Sequence, residues 1–156
     1  GIDVSRLIAL KDSSKSVIDY PDGEKLGPDA VIDVLCEIWI PAARPDVIRK
    51  DNVHRLKTKL VPQGANIPFT PEAERILHEK GTLVIPDFIA NAGGVICASV
   101  EYHGGTATQA FATIEEKIRA NTSIVLEESA KTKTLPREAA TALAERRVRN
   151  AMGYHR

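Results

Sequence analysis

Three short runs of small and amide-bearing residues are the places where this chain could bind a ligand. They are Pro41-Ala42-Ala43, Gly64-Ala65-Asn66 and Asn91-Ala92-Gly93-Gly94. Residues with little side-chain bulk let a flat ligand approach the backbone, and an asparagine amide carries both a hydrogen-bond donor and an acceptor. An asparagine can therefore pair with a primary amide through two complementary hydrogen bonds. The three runs predict the floor of a cofactor site, for a ligand that carries a primary amide such as nicotinamide.

Each run follows a short apolar segment that has the composition of a buried strand. The segments are Leu35 to Ile40, Lys59 to Gln63 and Thr82 to Pro86, and their last residues are equally spaced along the chain. Short, largely apolar segments are typical of parallel strands buried on both faces, and regular spacing indicates strand–helix–strand units. Ligands of open parallel sheets bind beyond the carboxyl ends of the strands. We therefore expect the three runs to meet at one edge of a sheet.

Helix signals lie between these segments and after them. Asp51 is expected to cap one helix, and Thr70 followed by Pro71 begins another that ends at Gly81. Beyond Asn91 the strand signal disappears, and only helices are predicted. The predicted helices are Val4 to Lys11, a short turn after Pro28, Asn52 to Lys57, Pro71 to Lys80, Gly93 to Tyr102, a long amphipathic helix opened by the capping box Thr106-x-x-Gln109, and a last helix from Pro136.

Composition and charge narrow the possible functions. Lys plus Arg and Asp plus Glu both number 21, so the zero net charge gives no reason to expect a nucleic-acid or membrane partner. The 2 cysteines, Cys36 and Cys97, lack metal-ligand spacing, and the 4 histidines are scattered, so no metal site is predicted. No apolar run approaches the length of a membrane span. A reducing cytoplasm is the simplest location.

Read together, the motifs resemble those of the glutamate/leucine/phenylalanine/valine dehydrogenase family. The resemblance lies in residues 38–43, residues 63–66 with 70–73, and residues 86–95, in that order. It implies an α/β fold, in which about three strands and crossover helices over residues 1–91 form the C-terminal portion of a Rossmann-like parallel sheet. C-terminal helices over residues 92–156 follow. The implied reaction exchanges a hydride between an L-amino acid and NAD or NADP, yielding a 2-oxo acid and ammonia.

The resemblance also implies roles for individual residues. The run from Pro41 would line the adenosine and pyrophosphate crevice, Asn66 would meet the nicotinamide ribose, and Asn91 would hold the nicotinamide carboxamide near the substrate. The expected cofactor-binding residues are Pro41, Ala42, Ala43, Gly64, Ala65, Asn66, Asn91, Gly93 and Gly94. The expected substrate-binding residues are Asn91, Val95 and Ala98.

Two features of the family are missing from this sequence. No Gly-x-Gly occurs, so the phosphate-binding turn is absent, and so is the segment with the catalytic lysine. Together with a first residue that is not Met, this predicts part of a longer enzyme, inactive alone and without a catalytic residue of its own. The complete enzyme would be a homo-oligomer, commonly a hexamer. The alternative is a non-catalytic truncated paralogue that binds a nucleotide or a partner subunit through its open sheet edge.

Three residues leave finer questions open. Ala98 falls where glutamate-specific members carry a serine, which puts glutamate in doubt and leaves an apolar amino acid possible. Pro62 lacks a backbone donor, so the second strand is expected to pair weakly or end early. Asp87 could cap the following helix or make polar contacts near the Asn91 turn.

Overall fold

Helix α1 (Val4–Asp12) begins at Asp3, whose side chain accepts the backbone N–H of Arg6. It belongs to the first of two units in the computed structural model, Gly1–Asp33 and Val34–Arg156, and the residues described are 2–153. Two 3-10 helices complete the first unit, Val17–Asp19 and Pro28–Asp33. The predicted first helix and the helical turn after Pro28 are confirmed.

The second unit is built around a parallel strand pair. Its elements are β1 (Leu60–Pro62), α2 (Pro71–Glu79), β2 (Leu83–Ile85), α3 (Asp87–Ala90), α4 (Gly93–Tyr102), α5 (Ala107–Thr132) and α6 (Pro136–Gly153). β1 and β2 run parallel with Leu60 opposite Leu83, and α2 connects them. The predicted α/β class is confirmed, with a two-stranded sheet followed by helices.

The first predicted strand, Leu35 to Ile40, is reduced to a single bridge between Ile38 and Leu60. At this bridge the N–H of Leu60 donates to Glu37, and the N–H of Trp39 donates to Leu60. In a parallel ladder the next rung needs the N–H groups of Pro62 and Pro41, and proline has none. The prediction of about three strands is therefore corrected to two strands and a bridge. The weak pairing expected of Pro62 is seen towards the first segment only. Towards β2, Pro62 still pairs with Ile85.

The helix boundaries follow local capping chemistry. The Thr70 side chain accepts the N–H of Ala73, and Gly81 has a φ of 80°. The expected capping box of Thr106 and Gln109 is present, with both reciprocal hydrogen bonds. These contacts confirm the predicted starts of α2 and α5.

The helix predicted from Asn52 to Lys57 is wrong. Only a 3-10 helix, Val53–Arg55, forms there. The Asn52 side chain accepts the N–H of Arg49 at 2.7 Å and donates to the Val47 carbonyl at 2.9 Å. These bonds give the backbone groups of Arg49 and Val47 hydrogen-bond partners in the loop, so a longer helix would add fewer new hydrogen bonds.

The main core cluster joins β2, α3, α5 and α6. Its buried members are Ile85, Ile89, Val125, Ala139, Ala140 and Leu143. Phe111 near the start of α5 and Met152 near the end of α6 lie outside this core and are exposed. No helix within residues 2–153 is both long enough and apolar enough to pass through a membrane.

Candidate functional site

The three small-residue runs meet beyond the carboxyl ends of the paired segments. The N–H of Ala65 donates to the Pro41 carbonyl at 2.7 Å, which joins the first run to the second. Nδ2 of Asn91 donates to Oδ1 of Asn66 at 2.8 Å, which joins the third run to the second. The structure thus assembles the predicted floor from side-by-side turns, as the sheet-edge argument expects.

Gly64 is small for a structural reason. A Cβ at this position would lie 3.3 Å from both the Ala42 Cβ and the Pro41 carbonyl oxygen. A Cβ at this position would therefore be in tight contact with the first turn, which would have to shift by a few tenths of an ångström. The sequence suggested that Gly64 makes room for a ligand, whereas the observed contacts show room made for a neighbouring turn.

The orientation of the Asn91 amide is fixed by its surroundings. Nδ2 of Asn91 faces Oδ1 of Asn66 and also lies 3.4 Å from the Gly64 carbonyl. Because a backbone carbonyl can only accept, Nδ2 must be the atom turned inward. Among residues 2–153, no group bonds to Oδ1 of Asn91 or to Nδ2 of Asn66.

The amide pair therefore offers one acceptor and one donor on two different residues. Such a pair is complementary to a primary carboxamide, whose NH2 donates and whose oxygen accepts. The NH2 group of Asn91 faces two protein acceptors, Oδ1 of Asn66 at 2.8 Å and the Gly64 carbonyl at 3.4 Å, so the oxygen is the atom that Asn91 leaves open to a ligand.

The start of α4 is open on the predicted ligand side. A Cβ on Gly94 would meet nothing within 4 Å, whereas one on Gly93 would contact Ile114. The N–H groups of the first helical turn have no partner within the helix. Val95 is 79% exposed, and Ala98, one turn further on, is also exposed. In the first run, Pro41 is buried, while Ala42 and Ala43 are exposed.

A cluster of three buried polar side chains around the half-buried Arg137 lies next to the turns. Arg137, in the first turn of α6, bonds to Glu74 of α2 through Nε and Nη2, both at 2.7 Å. Nη2 also donates to Oε1 of Gln63 at 2.8 Å, and Nη1 lies 2.9 Å from Oδ1 of Asp87. The Phe88 ring lies 5.6 Å from the guanidinium carbon. We call Gln63, Glu74, Asp87 and Arg137 the Arg137 cluster.

Asp87 makes polar contacts and does not cap α3. Its Oδ2 accepts the N–H of Ile67 at 2.8 Å, and the N-cap of α3 is Pro86. Burial raises the Asp87 pKa, but the Ile67 hydrogen bond and the Arg137 charge outweigh it, so the pKa lies below its ordinary value. Burial lowers the pKa of Arg137, yet Glu74 and Asp87 reverse this and raise it overall. Both groups are charged at neutral pH.

Sequence reasoning did not identify Gln63, Glu74 or Arg137. A usable signal was present, because Gln63 ends an apolar strand and Glu74 shares a buried helix face with Ala73 and Leu77. A polar residue at a core position needs a partner. The partner, Arg137, is far away in sequence, so the pattern could not name it.

No group of three or more possible metal ligands occurs in the described part of the chain, 2–153. The site offers amides, backbone groups and small residues, which suit an organic ligand.

Comparisons with known proteins identify one family and several relatives. The family model for glutamate/leucine/phenylalanine/valine dehydrogenase matches residues 1–156. The NADP-specific glutamate dehydrogenase of Saccharolobus shibatae is 43% identical over 102 residues, which are 65% of this chain and 24% of that protein. The glutamate dehydrogenase of Aeropyrum pernix is 39% identical over 132 residues, 81% of this chain and 32% of the relative.

Solved structures agree with this fold. L-tryptophan dehydrogenase from Nostoc punctiforme superposes with a TM-score of 0.74 at 25% identity, covering 81% of this chain and 38% of that one. Hetero-hexameric glutamate dehydrogenase from Thermus thermophilus gives a TM-score of 0.81 at 24% identity, covering 97% and 37%. The chain spans between about a quarter and two fifths of the length of these proteins. It belongs to the glutamate/leucine/phenylalanine/valine dehydrogenase family.

Proposed function

We propose that this chain forms the nicotinamide side of the cofactor site in an amino-acid dehydrogenase. The complete enzyme oxidatively deaminates an L-amino acid to a 2-oxo acid and ammonia with NAD or NADP. Two relatives are named glutamate dehydrogenases, and one solved neighbour is a tryptophan dehydrogenase. The observation that carries the proposal is the amide pair of Asn66 and Asn91 at the carboxyl edge of the sheet.

The acceptor on Asn91 and the donor on Asn66 match the carboxamide of a nicotinamide ring. Asn91 accepts from the carboxamide NH2 of the nicotinamide, and Asn66 donates to the carboxamide oxygen or to the adjoining ribose. Ala42 and Ala43 present an exposed surface without bulk to the rest of the dinucleotide. When bound, the nicotinamide supplies the hydride acceptor, while the protein supplies orientation.

The amino-acid substrate is assigned to the exposed face of α4. Val95 and Ala98 lie one turn apart on that face. Ala98 cannot donate a hydrogen bond to a side-chain carboxylate, so an apolar amino acid is favoured over glutamate. The phosphate preference of the cofactor is left open between NAD and NADP. As in the hetero-hexameric neighbour, the complete enzyme is an oligomer, here of one kind of subunit.

The chain alone is expected to be inactive. It carries no Gly-x-Gly turn to cradle the pyrophosphate and spans a minority of its relatives' length. Incubation with NAD or NADP and a panel of L-amino acids should give no increase in absorbance from reduced cofactor. Measurable turnover would refute this part of the proposal.

Binding can be tested by NMR with two ligands, NADH and AMP, which share the adenosine monophosphate half. NADH should shift the amide signals of Asn66, Asn91 and Gly94, whereas AMP, which lacks nicotinamide, should leave them in place. Asn91→Ala should weaken NADH binding about tenfold, the loss of roughly one good hydrogen bond. Asn150→Ala is the control, because Asn150 is exposed on α6.

Each other outcome of this titration has a definite meaning. Equal shifts with AMP and NADH would favour the alternative, a nucleotide-binding chain without a nicotinamide site. An absence of shifts at Asn66 and Asn91 at millimolar NADH would reject the proposed site.

A further inference from the structure

We propose that the Arg137 cluster is a positioning device that holds the amide pair of Asn66 and Asn91 in its ligand-ready arrangement. Its four members touch none of the exposed ligand-facing atoms, so they act as positioning residues. The inference rests on the proposed function only for the identity of the ligand.

Both ends of the second turn are tied to Arg137. At the start of the turn, Oε1 of Gln63 accepts from Nη2 of Arg137 at 2.8 Å. At its end, the N–H of Ile67 donates to Asp87, whose other carboxylate oxygen faces Arg137. Gly64, Ala65 and Asn66 lie between these two fixed points. Moving the guanidinium would therefore remove a hydrogen bond from Gln63 at one end of the turn and the countercharge of Asp87 at the other.

The third turn is tied to the same group through α3. Asp87 is the first residue of this helix, and the N–H of Asn91 donates to the Asp87 carbonyl at 2.7 Å. The backbone N–H of Asp87 in turn donates to Oε1 of Gln63 at 3.1 Å. The turns that carry Asn66 and Asn91 are thus both connected to one polar network.

Backbone strain in the turn shows that it needs such support. Ile67 has a φ of 48°, in the left-handed region that β-branched residues strongly disfavour. Strained residues persist only where their surroundings hold them. Here the N–H of Ile67 is held by Asp87, and its carbonyl accepts the N–H of Asp46 at 2.9 Å.

The cluster is built so that its parts depend on each other. Gln63 is fully buried, and its Nε2 donates to Oε1 of Glu74 at 2.7 Å. Removing Arg137 would leave the buried Glu74 and Asp87 without their countercharge, a change that buried networks tolerate poorly. The carboxylates would then recruit water or move, and the turns that they hold would move with them.

The experiment compares ligand-free and NADH-titrated protein in four variants of the full chain. Arg137→Gln removes the charge, Arg137→Lys restores a charge without the planar fork, and Glu74→Gln is a milder isosteric change. Arg149→Gln is the matched control, since it breaks an exposed pair with Glu145 on the same helix. Circular dichroism confirms that each variant is folded before measurement.

The first readout needs no ligand. In Arg137→Gln the Ile67 backbone amide and the Asn91 side-chain amide should shift and exchange faster with solvent, while Arg149→Gln should match the wild type. Arg137→Lys should recover part of the protection. If Arg137→Gln does not fold, Glu74→Gln must show the same changes at reduced size.

The second readout is the affinity for NADH, expected to fall about tenfold in Arg137→Gln and to be unchanged in Arg149→Gln. Unchanged Ile67 and Asn91 signals in folded Arg137→Gln or Glu74→Gln would overturn the inference. If the wild type itself does not bind NADH, the proposed function fails, yet the ligand-free signals still decide whether the cluster positions the amides.

Discussion

At the scale of single residues, the site depends on a small side chain at Gly64 and a strained backbone at Ile67. Both are explained by contacts with neighbouring segments. Gly64 accommodates Ala42 and the Pro41 carbonyl. Ile67 adopts a left-handed conformation, although its exposed fraction of 58% gives its side chain little packing in return. At Ile67 the free-energy cost of the backbone conformation therefore outweighs what the side chain contributes by packing.

We predict that Ile67→Gly stabilises the chain. Relief of the left-handed strain should exceed the extra entropy of glycine, raising the free energy of unfolding by roughly 0.5–1 kcal/mol. Ile67→Ala, which keeps a Cβ, should give no comparable gain. Urea unfolding of both variants measures the difference, and a glycine variant less stable than the alanine variant would contradict the prediction.

At the scale of elements, proline and capping residues decide where strands and helices begin and end. Pro41 and Pro62 stop the pairing of the first segment with β1. The capping box at Thr106 sets the start of α5, which packs against α4 and so supports the helix that carries Val95 and Ala98. Local chemistry at these ends therefore reaches the site through helix packing.

Thr106→Ala should destabilise the second unit by about 1 kcal/mol, because the N–H of Gln109 loses its side-chain acceptor. Thr108→Ala, an exposed change at the second residue of the same helix, is expected to leave stability nearly unchanged. Thermal unfolding followed by circular dichroism compares the two. Equal midpoints for the two variants would show that the cap contributes nothing.

At the scale of the whole molecule, the Arg137 cluster connects the residue that follows β1 with α2, α3 and α6, through side chains that are distant in sequence. Arg137 is 29% exposed, so the ion pairs are partly screened and their contribution is smaller than that of fully buried pairs. The lowered pKa of Asp87 links this contribution to pH. Its stabilisation is present above the unfolded-state pKa and is lost as the pH falls through the folded-state pKa.

Asp87→Asn should therefore cost about 1–2 kcal/mol of unfolding free energy at neutral pH, and this cost should shrink below about pH 4. The asparagine still offers an oxygen to Ile67 but no charge to Arg137. Urea unfolding across the pH range measures the difference in unfolding free energy between wild type and variant. Glu116→Gln, which changes an exposed residue of α5, is the control. A cost that does not change with pH would contradict the charge-based explanation.

Much of this arrangement was predictable from the sequence because its signals are local. Thr70-Pro71, Thr106-x-x-Gln109 and Pro136 mark helix starts through contacts within a few residues. The ends of the apolar segments predicted that three turns would meet at one edge. Family membership likewise follows from motifs in order along the chain.

The tertiary structure decided what depends on residues brought together from distant positions. The first predicted strand is cut short because the next two hydrogen bonds of its ladder would need N–H groups from Pro41 and Pro62, which have none. The atom of the Asn91 amide that points inward is set by the Gly64 carbonyl and Asn66. Arg137 reaches Gln63 and Glu74 across more than sixty residues. Sequence patterns encode which positions are buried, whereas the partner of a buried polar group is fixed only when separate elements pack.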